Sequence, residues 1–287
     1  MARDATYWVI VTVKNGQKTI NDSLLSILNQ STPPSLLCVV DDGSKDATPK
    51  ILEKLVDTNP SLKVITLPDK GYDIRRIVHN WNAACEYKQQ TGREFDFLLI
   101  SSDDVIFPRD YASRLIDEMR NNTRLAIVSG TRELKQSDYL SLPEGAGRMI
   151  RESFFEEVGY RHPPYYGYEA WILYKAMQSG YQVKKISDLR YEHTRSFGTG
   201  HNWIEYGPAM RCLGYHPLFV FARVLRNVLG IGGTGISKRA SMRMLVDYFF
   251  EGKWKHDPYF HYFEPELRHF VRRLQTLRLR ARMTGVH

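Results

Sequence analysis

The sequence has little cysteine, and Cys38, Cys85 and Cys212 lie far apart in a chain of 287 residues. Their odd number and the lack of a CxxC spacing argue against a disulfide framework and favour a reducing compartment. A long apolar run is also missing, since the longest, residues 217–230, is too short and too charged to span a bilayer. The first residues lack a basic segment followed by an apolar one, so we expect no signal peptide. These absences predict a cytoplasmic protein, with the inner face of the membrane as an open alternative.

Acidic residues are scarce in the last third of the chain. Residues 1–200 hold 26 Lys or Arg and 26 Asp or Glu, whereas residues 201–287 hold 14 basic and 6 acidic residues. Residues 217–229 and 265–282 combine arginines with apolar residues at helical spacing. Such helices suit an anionic membrane surface, but packing against the rest of the chain or in a homo-oligomer is an open alternative. No nucleic-acid reading module is present, so we expect no nucleic-acid partner.

Strand and helix signals alternate over the first 130 residues. The short apolar runs typical of buried parallel strands cover residues 7–13, 36–40, 62–67, 95–100 and 125–128. Helical spacing follows the first four runs, at about 20–28, 48–56, 73–89 and after residue 108. Residues 131–165 are predicted to be irregular, before a helix over 169–179 and a strand over 181–186. The succession predicts an α/β fold with a Rossmann-like, mainly parallel sheet flanked by helices, followed by a basic helical region over 201–287.

Acidic pairs follow two of the predicted strands. Asp41-Asp42 ends the second strand and Asp103-Asp104 ends the fourth. In open α/β sheets, ligands bind where parallel strands reach their carboxyl ends. Two carboxylates there suit a hard divalent cation that also holds a diphosphate, and a carboxylate after the second strand suits a base or a ribose hydroxyl. The alternatives are a helix N-cap for the second pair and a glycine turn for the first.

Three segments together resemble a known family. Thr12-Val-Lys-Asn15, Asp41-Asp-Gly-Ser-Lys-Asp46 and Ser102-Asp-Asp104 resemble the nucleotide-sugar half of inverting glycosyltransferases of family 2, which have the GT-A fold. The resemblance covers about residues 7–196. It implies a catalytic domain over residues 1–200, with a nucleotide-sugar half to about residue 130 and an acceptor half over 131–200.

The resemblance implies roles for individual residues of the first half. Thr12 and Lys14 would line the base pocket, and Asp42 would bind the base or its ribose. Arg76, with Arg75 as the near alternative, would reach the diphosphate. Asp104 would coordinate Mn²⁺ or Mg²⁺. This chain reads Ser-Asp-Asp where the family has Asp-x-Asp, so Asp103 is expected to contact the ribose instead.

In the second half, the resemblance implies a general base and a further metal ligand. The family has a Glu-Asp pair that opens a helix ending in Gly-Tyr. Aligning on Gly180-Tyr181 places Glu169 at the base position and Tyr168 at the neighbouring acid. A first-turn acid that favours the helix dipole is the alternative for Glu169. His193 would complete the metal shell, with a surface histidine as the alternative, and Glu192 and Arg195 are weaker neighbours. The aromatic residues around this base could form an acceptor platform or ordinary core: Tyr165, Tyr166, Tyr168, Trp171 and Trp203.

The function implied by the resemblance is a sugar transfer with inversion. The donor would be a nucleotide sugar, with UDP as the default nucleotide, and the acceptor a hydroxyl of a glycan or lipid-linked saccharide. Two alternatives stay open. A sugar nucleotidyltransferase would need a glycine-rich phosphate loop after the first strand, and the chain shows no such pattern. A membrane-associated scaffold that keeps the fold without turnover would fit the two departures from the family pattern.

Overall fold

The structure is a computed structural model that describes residues 5–71, 73, 76–132, 142–195, 205–231 and 236–283, with side chains up to residue 277. The chain divides into two compact units. The first comprises residues 1–133, 141–162 and 180–196, and the second comprises residues 134–140, 163–179 and 197–287. This structural division does not test the predicted catalytic domain over residues 1–200, which stays a prediction.

The first unit is built on an eight-stranded sheet with strand order β3-β2-β1-β4-β7-β6-β8-β5. The strands are β1 (Tyr7–Val13), β2 (Leu36–Asp41), β3 (Leu62–Thr66), β4 (Phe97–Ser102), β5 (Val105–Ile106), β6 (Leu125–Arg132), β7 (Arg148–Arg151) and β8 (Gln182–His193). β1 pairs in parallel with β2 and β4, and β2 with β3. β7 pairs antiparallel with β4 and β6. The predicted mainly parallel sheet is confirmed.

Helices of the first unit flank this sheet. They are α1 (Ile20–Leu28), α2 (Thr48–Thr58), α3 (Ile77–Gln90), α4 (Tyr111–Asn121) and α5 (Glu152–Glu157). Alternate residues of β1, among them Val9 and Val11, pack with Ile20 and Leu24 of α1 in one buried cluster. β1 and β2 are buried along almost their whole length, which is why they appear in the sequence as continuous apolar runs.

The structure corrects the prediction that residues 131–165 are irregular. β7 and α5 both lie in this segment, and β7 takes a central place in the sheet. Its Arg148 is fully buried and donates from Nε to the Glu144 carbonyl at 3.0 Å. A buried arginine in a four-residue strand hides that strand from a search for apolar runs. Residues 133–141 lie outside the described part of the chain.

Two element boundaries also differ from those predicted. α3 begins at Ile77 rather than near residue 73, and Arg76 is its N-cap. β8 continues to His193, well past the predicted end at residue 186. Its exposed positions are largely charged, among them Lys184 and Asp188. A half-exposed strand of this kind has no continuous apolar run, and the prediction relied on such runs to find strands.

The described part of the second unit is helical. Its helices are α6 (Tyr168–Gln178), α7 (Tyr206–Cys212), α8 (Pro217–Val228), α9 (Lys238–Phe249) and α10 (Pro265–Met283). The sequence predicted α6, α8 and α10 but not α7 or α9. Tyr215 links these helices, since its hydroxyl lies 2.8 Å from that of Tyr174 and its carbonyl accepts from Tyr248 at 2.6 Å. Part of the predicted glycine connector, residues 232–235, is outside the described residues.

In the described part of the chain, we find no helix with both the length and the apolar character needed to cross a membrane. The three cysteines are buried and free, so the predicted absence of a disulfide framework holds.

Candidate active site

The ends of β2 and β4 flank the end of β1, and both acidic pairs lie there. Thr12 of β1 is in register with Val40 on one side and Ser102 on the other. Neighbouring strands lie about 4.8 Å apart, which sets the two acidic pairs about 10 Å from each other across β1. This edge is therefore the part of the first unit where carboxylates converge.

The first pair is held by a tight turn after β2. Asp41 is buried and accepts from the Ser44 backbone N–H at 2.9 Å and from its hydroxyl at 2.6 Å. Gly43 has φ +71°, and a Cβ added there would lie 2.4 Å from the Asp69 backbone nitrogen. Asp41 therefore stabilises the turn, and only Asp42 of this pair is available for a ligand.

Asp42 sits in a basic environment. Its carboxylate, only 7% exposed, is ion-paired with Arg76, with 2.6 Å between Oδ1 and Nη2. Lys14 donates from Nζ to the Asp42 carbonyl and to the Asp69 carboxylate, both at 2.7 Å. Arg76 Nη1 is buried and has no hydrogen-bond partner among the described residues. The structure thus brings Lys14, Asp42 and Arg76 together.

Asp69 is a member of this group that the sequence analysis missed. It follows β3 and accepts from Lys14 and Lys45, at 2.7 and 2.6 Å. Hydrogen bonds from these two ammonium groups hold the pKa of Asp69 well below its usual range. The signal was available, because Asp69 comes shortly after the third strand, as Asp42 and Asp103 come after theirs.

The second pair is divided between two partners. Asp103 is buried against the loop that opens α1, where Thr19 donates to its Oδ2 at 3.2 Å. Gly16 is required here, since an added Cβ would lie 2.5 Å from Asp103 Oδ2. Arg195 forms an ion pair with the same oxygen and also donates to the Thr19 hydroxyl at 2.9 Å. Burial raises the pKa of Asp103 to about 6 against the lowering effect of Arg195.

Asp104 faces His193. Asp104 Oδ2 lies 3.3 Å from His193 Nδ1, and the Ser102 hydroxyl donates to Asp104 Oδ1 at 2.7 Å. Burial opposes ionisation of Asp104, but the hydrogen bonds from His193 and Ser102 lower its pKa overall. The contact depends on backbone pairing, because β5 pairs antiparallel with the end of β8 and sets Val105 opposite His193.

The pair Asp104 and His193 fits a divalent cation. One carboxylate and one imidazole converge, both side chains are at most 15% exposed, and His193 Nε2 is a buried atom without a partner among the described residues. In the described part of the chain, no group of three or more His, Cys, Asp or Glu side chains is arranged to hold a metal. Mg²⁺ and Mn²⁺ accept oxygen and imidazole ligands, and Mg²⁺ commonly keeps water and substrate phosphate in its shell. A two-residue set therefore suffices for an ion that is shared with a diphosphate.

Glu169 belongs to the second unit. It is exposed in the first turn of α6, which begins after Gly167 with φ +94°. Burial raises the pKa of Tyr206, and the negative charge of Glu169 raises it further, which places the carboxylate close to this phenol. The role of Glu169 as a base stays a prediction.

The aromatic residues near Glu169 have mixed roles. Trp171 is buried, and the partly buried Tyr165 lies 4.4 Å, between ring centroids, from His261. Tyr166 is buried and donates to Asp257 at 2.9 Å. These contacts are those of the core of the second unit. Arg75 and Trp203 lie outside the described residues.

The α/β sheet carries its two acidic pairs at the carboxyl ends of β2 and β4, on either side of β1, and comparisons with known proteins identify the class of enzyme. The model of the family Glycosyl transferase family 2 matches residues 8–174. This match spans more than half of the chain, so the protein belongs to that family and is a glycosyltransferase. No curated protein matches the chain significantly.

Solved structures show the same fold. The mannosyltransferase PcManGT from Pyrobaculum calidifontis, in complex with GDP-Man and Mn²⁺, is similar with a TM-score of 0.60 and 18% identity, over 86% of this chain and 70% of the other. S. aureus TarS 1–349 in complex with UDP-GlcNAc is similar with a TM-score of 0.56 and 16% identity, over 85% of this chain and 71% of the other. The fold is thus that of GT-A glycosyltransferases.

Proposed function

We propose that the protein transfers a sugar from a nucleotide-sugar donor to an acceptor hydroxyl of a glycan or lipid-linked saccharide, with inversion at the anomeric carbon. One observation carries the proposal: Asp42 with Arg76, and Asp104 with His193, lie at strand ends on either side of β1. A nucleoside diphosphate is long enough to reach from one group to the other. The complexes of PcManGT with GDP-Man and of TarS with UDP-GlcNAc support a donor of this kind.

In this proposal, the first group holds the nucleoside. Thr12 and Lys14 line the base pocket, and Asp42 accepts from a base N–H or a ribose hydroxyl. Arg76 orients the Asp42 carboxylate through its ion pair, and its Nη1, which has no hydrogen-bond partner in the described part of the chain, serves the diphosphate. UDP stays the default nucleotide on the resemblance alone.

The second group holds the diphosphate side of the donor. Asp104 and His193 would bind Mn²⁺ or Mg²⁺, which neutralises charge on the leaving nucleoside diphosphate when it is bound. Asp103 contacts the ribose in this proposal. Arg195 supplies a cation beside it, and its side chain is 45% exposed, so donors other than those on Asp103 and Thr19 are open to a ligand.

The acceptor is activated by Glu169, which takes the proton of the attacking hydroxyl. The sugar–oxygen bond forms as the bond from the anomeric carbon to the diphosphate oxygen breaks on the opposite face. One base and one displacement give inversion, and no covalent nucleophile is required. The exposed position of Glu169 at the start of α6 leaves its carboxylate accessible to a hydroxyl.

The direct test is titration calorimetry of the full chain with UDP- and GDP-sugars, with and without Mn²⁺, followed by assay of donor hydrolysis. We expect one donor to bind with metal dependence and to be hydrolysed slowly without an acceptor. Folded protein that binds no sugar nucleotide in either condition would favour a non-catalytic scaffold. Release of pyrophosphate from a nucleoside triphosphate and a sugar phosphate would favour a nucleotidyltransferase.

A further inference from the structure

Exposed apolar side chains of the described residues are concentrated in one part of the second unit. Of twelve large hydrophobic side chains that face solvent, nine lie between residues 218 and 250. Two of these nine residues, Phe221 and Phe250, are phenylalanines whose side chains are more than half exposed. Single exposed hydrophobics are ordinary on protein surfaces, but a cluster marks an interaction site.

The exposed residues of α8 form one stripe. Leu218, Phe221, Leu225 and the C-cap Leu229 are spaced by three or four residues and therefore lie on one face of the helix. The opposite face holds Phe219, Val220 and Val224, which are buried. α8 thus packs on the protein with one apolar face and presents a second one to solvent.

α9 repeats this arrangement. Met242, Val246 and Phe249 are each close to half exposed and share one face, while Met244 and Tyr248 are buried on the other. α9 packs against α8. The two solvent-facing stripes, together with Phe250, are called here the α8–α9 surface.

The charges beside this surface have one sign. α8 contains no acidic residue, and the one acid of α9, Asp247, is buried and ion-paired with Arg243 and Lys253 at 3.4 and 2.8 Å. Lys238 and Arg239 are exposed at the start of α9. The apolar stripes are therefore flanked by cations that no neighbouring exposed acid of these helices compensates.

We propose that the α8–α9 surface binds an anionic phospholipid bilayer, with the apolar stripes in the interface and the cations among the headgroups. A symmetric dimer through this surface is disfavoured, because an isologous contact would bring the same cations of two copies together. A bilayer supplies both the apolar layer and the opposite charge. The proposal goes beyond sugar transfer and does not depend on it.

The surface differs from the one expected from the sequence, which paired residues 217–229 with 265–282. Leu267 and Val271, in the first half of α10, are fully buried, so these two apolar side chains are already covered by protein. α9, which the sequence analysis missed, provides the second stripe instead.

The test is sedimentation of the full chain with vesicles of phosphatidylcholine alone and of phosphatidylcholine with phosphatidylglycerol. We expect binding to the anionic vesicles only, with affinity that falls as salt rises. The double variant Phe221→Ser/Phe250→Ser should lower the partition coefficient at least about tenfold, because two exposed aromatic rings are lost from the interface. Leu277→Ser on α10 is the matched control, since this leucine is 54% exposed outside the surface; its binding should stay unchanged.

Three results would overturn the proposal. They are no binding to anionic vesicles, equal binding by the native chain and the double variant, and a loss in Leu277→Ser as large as that in the double variant. Dimerisation through this surface without vesicle binding, seen by light scattering, would also refute it. Calorimetric donor binding, measured on the same variants, should be unchanged and reports separately on the proposed function.

Discussion

Single side chains decide whether the strand ends form a site. Asp42 directly follows β2 and Asp104 is the second residue after β4, but the two carboxylates have different partners. Asp42 is matched with a guanidinium, whereas Asp104 is matched with an imidazole at 3.3 Å. A guanidinium orients a carboxylate, and an imidazole can share a cation with it. We therefore propose that Asp42 belongs to the nucleoside site and Asp104 to the metal site.

Asp104→Asn tests the metal role, because the amide keeps the shape of the side chain and loses its charge. We expect calorimetry to show loss of the Mn²⁺-dependent part of donor binding, at least about tenfold. Asp110→Asn, at an exposed acid before α4, is the control and should bind as the native protein does. Retained metal dependence in Asp104→Asn would refute the assignment.

Glu169→Gln tests the base. Transfer should fall by about 10²- to 10⁴-fold while the donor dissociation constant stays the same, since a base acts on the acceptor proton alone. Glu264→Gln, at an exposed residue of the same unit, is the control and should leave both transfer and donor binding unchanged. Parallel loss of donor binding and transfer would remove Glu169 from this role.

His162 gives the protein a predictable acid sensitivity. Its ring is fully buried between Trp81 and Phe155, with centroid distances of 5.0 and 5.2 Å, and neither ring nitrogen has a partner among the described residues. Burial, and then the charge of Arg148, lower the pKa of His162 to about 3. The unfolded chain takes up this proton below about pH 6.5 and the native one does not, so stability falls as pH decreases between these values.

Chemical denaturation across this pH range checks the effect. The free energy of unfolding should fall by up to about 1.4 kcal/mol per pH unit from this group, and His162→Phe should flatten that slope. His269→Gln, at an exposed histidine, should leave it unchanged. An equal slope in the native chain and in His162→Phe would show that His162 does not titrate as argued.

At the scale of elements, the sequence predicted those that bury continuous apolar runs. β1, β2 and α1 between them are close to their predicted bounds, because parallel strands that are covered on both sides consist almost entirely of apolar residues. β5 has only two residues, and its pairing with the end of β8 joins distant parts of the chain. No local pattern shows that pairing, although it is what sets His193 against Asp104.

α10 provides a test of packing at this scale. Leu267 is fully buried, so Leu267→Ala should lower the free energy of unfolding by about 2–5 kcal/mol through lost burial and a cavity. Leu277→Ala, on the exposed side of the same helix, should change it by less than about 0.5 kcal/mol. Similar effects of the two changes in thermal or denaturant unfolding would contradict the packing described for α10.

For the whole molecule, the charge is divided unevenly between the two units. The first unit holds the strand-end acids, and the basic excess of residues 201–287 lies wholly in the second. Composition alone revealed the asymmetry. Contacts in the structure identified two further residues: Arg195, a weaker candidate in the sequence analysis, pairs with Asp103, and Asp69, which the analysis missed, pairs with Lys14.

Donor binding should also stabilise the folded chain as a whole. At a hundredfold excess over the dissociation constant, a ligand adds about 2.7 kcal/mol to the unfolding free energy. A thermal-shift screen should therefore identify one nucleotide sugar that raises the melting temperature with Mn²⁺ and much less without it. Equal shifts with every nucleotide, independent of metal, would contradict a built donor site.

A crystal structure of the protein with the matching nucleoside diphosphate and Mn²⁺ examines the account most directly. We predict the base or ribose within hydrogen-bond distance of Asp42, and Mn²⁺ bound by Asp104 and His193 beside the diphosphate. A nucleotide bound elsewhere, with no ligand at Asp42 and no ion at Asp104, would contradict it.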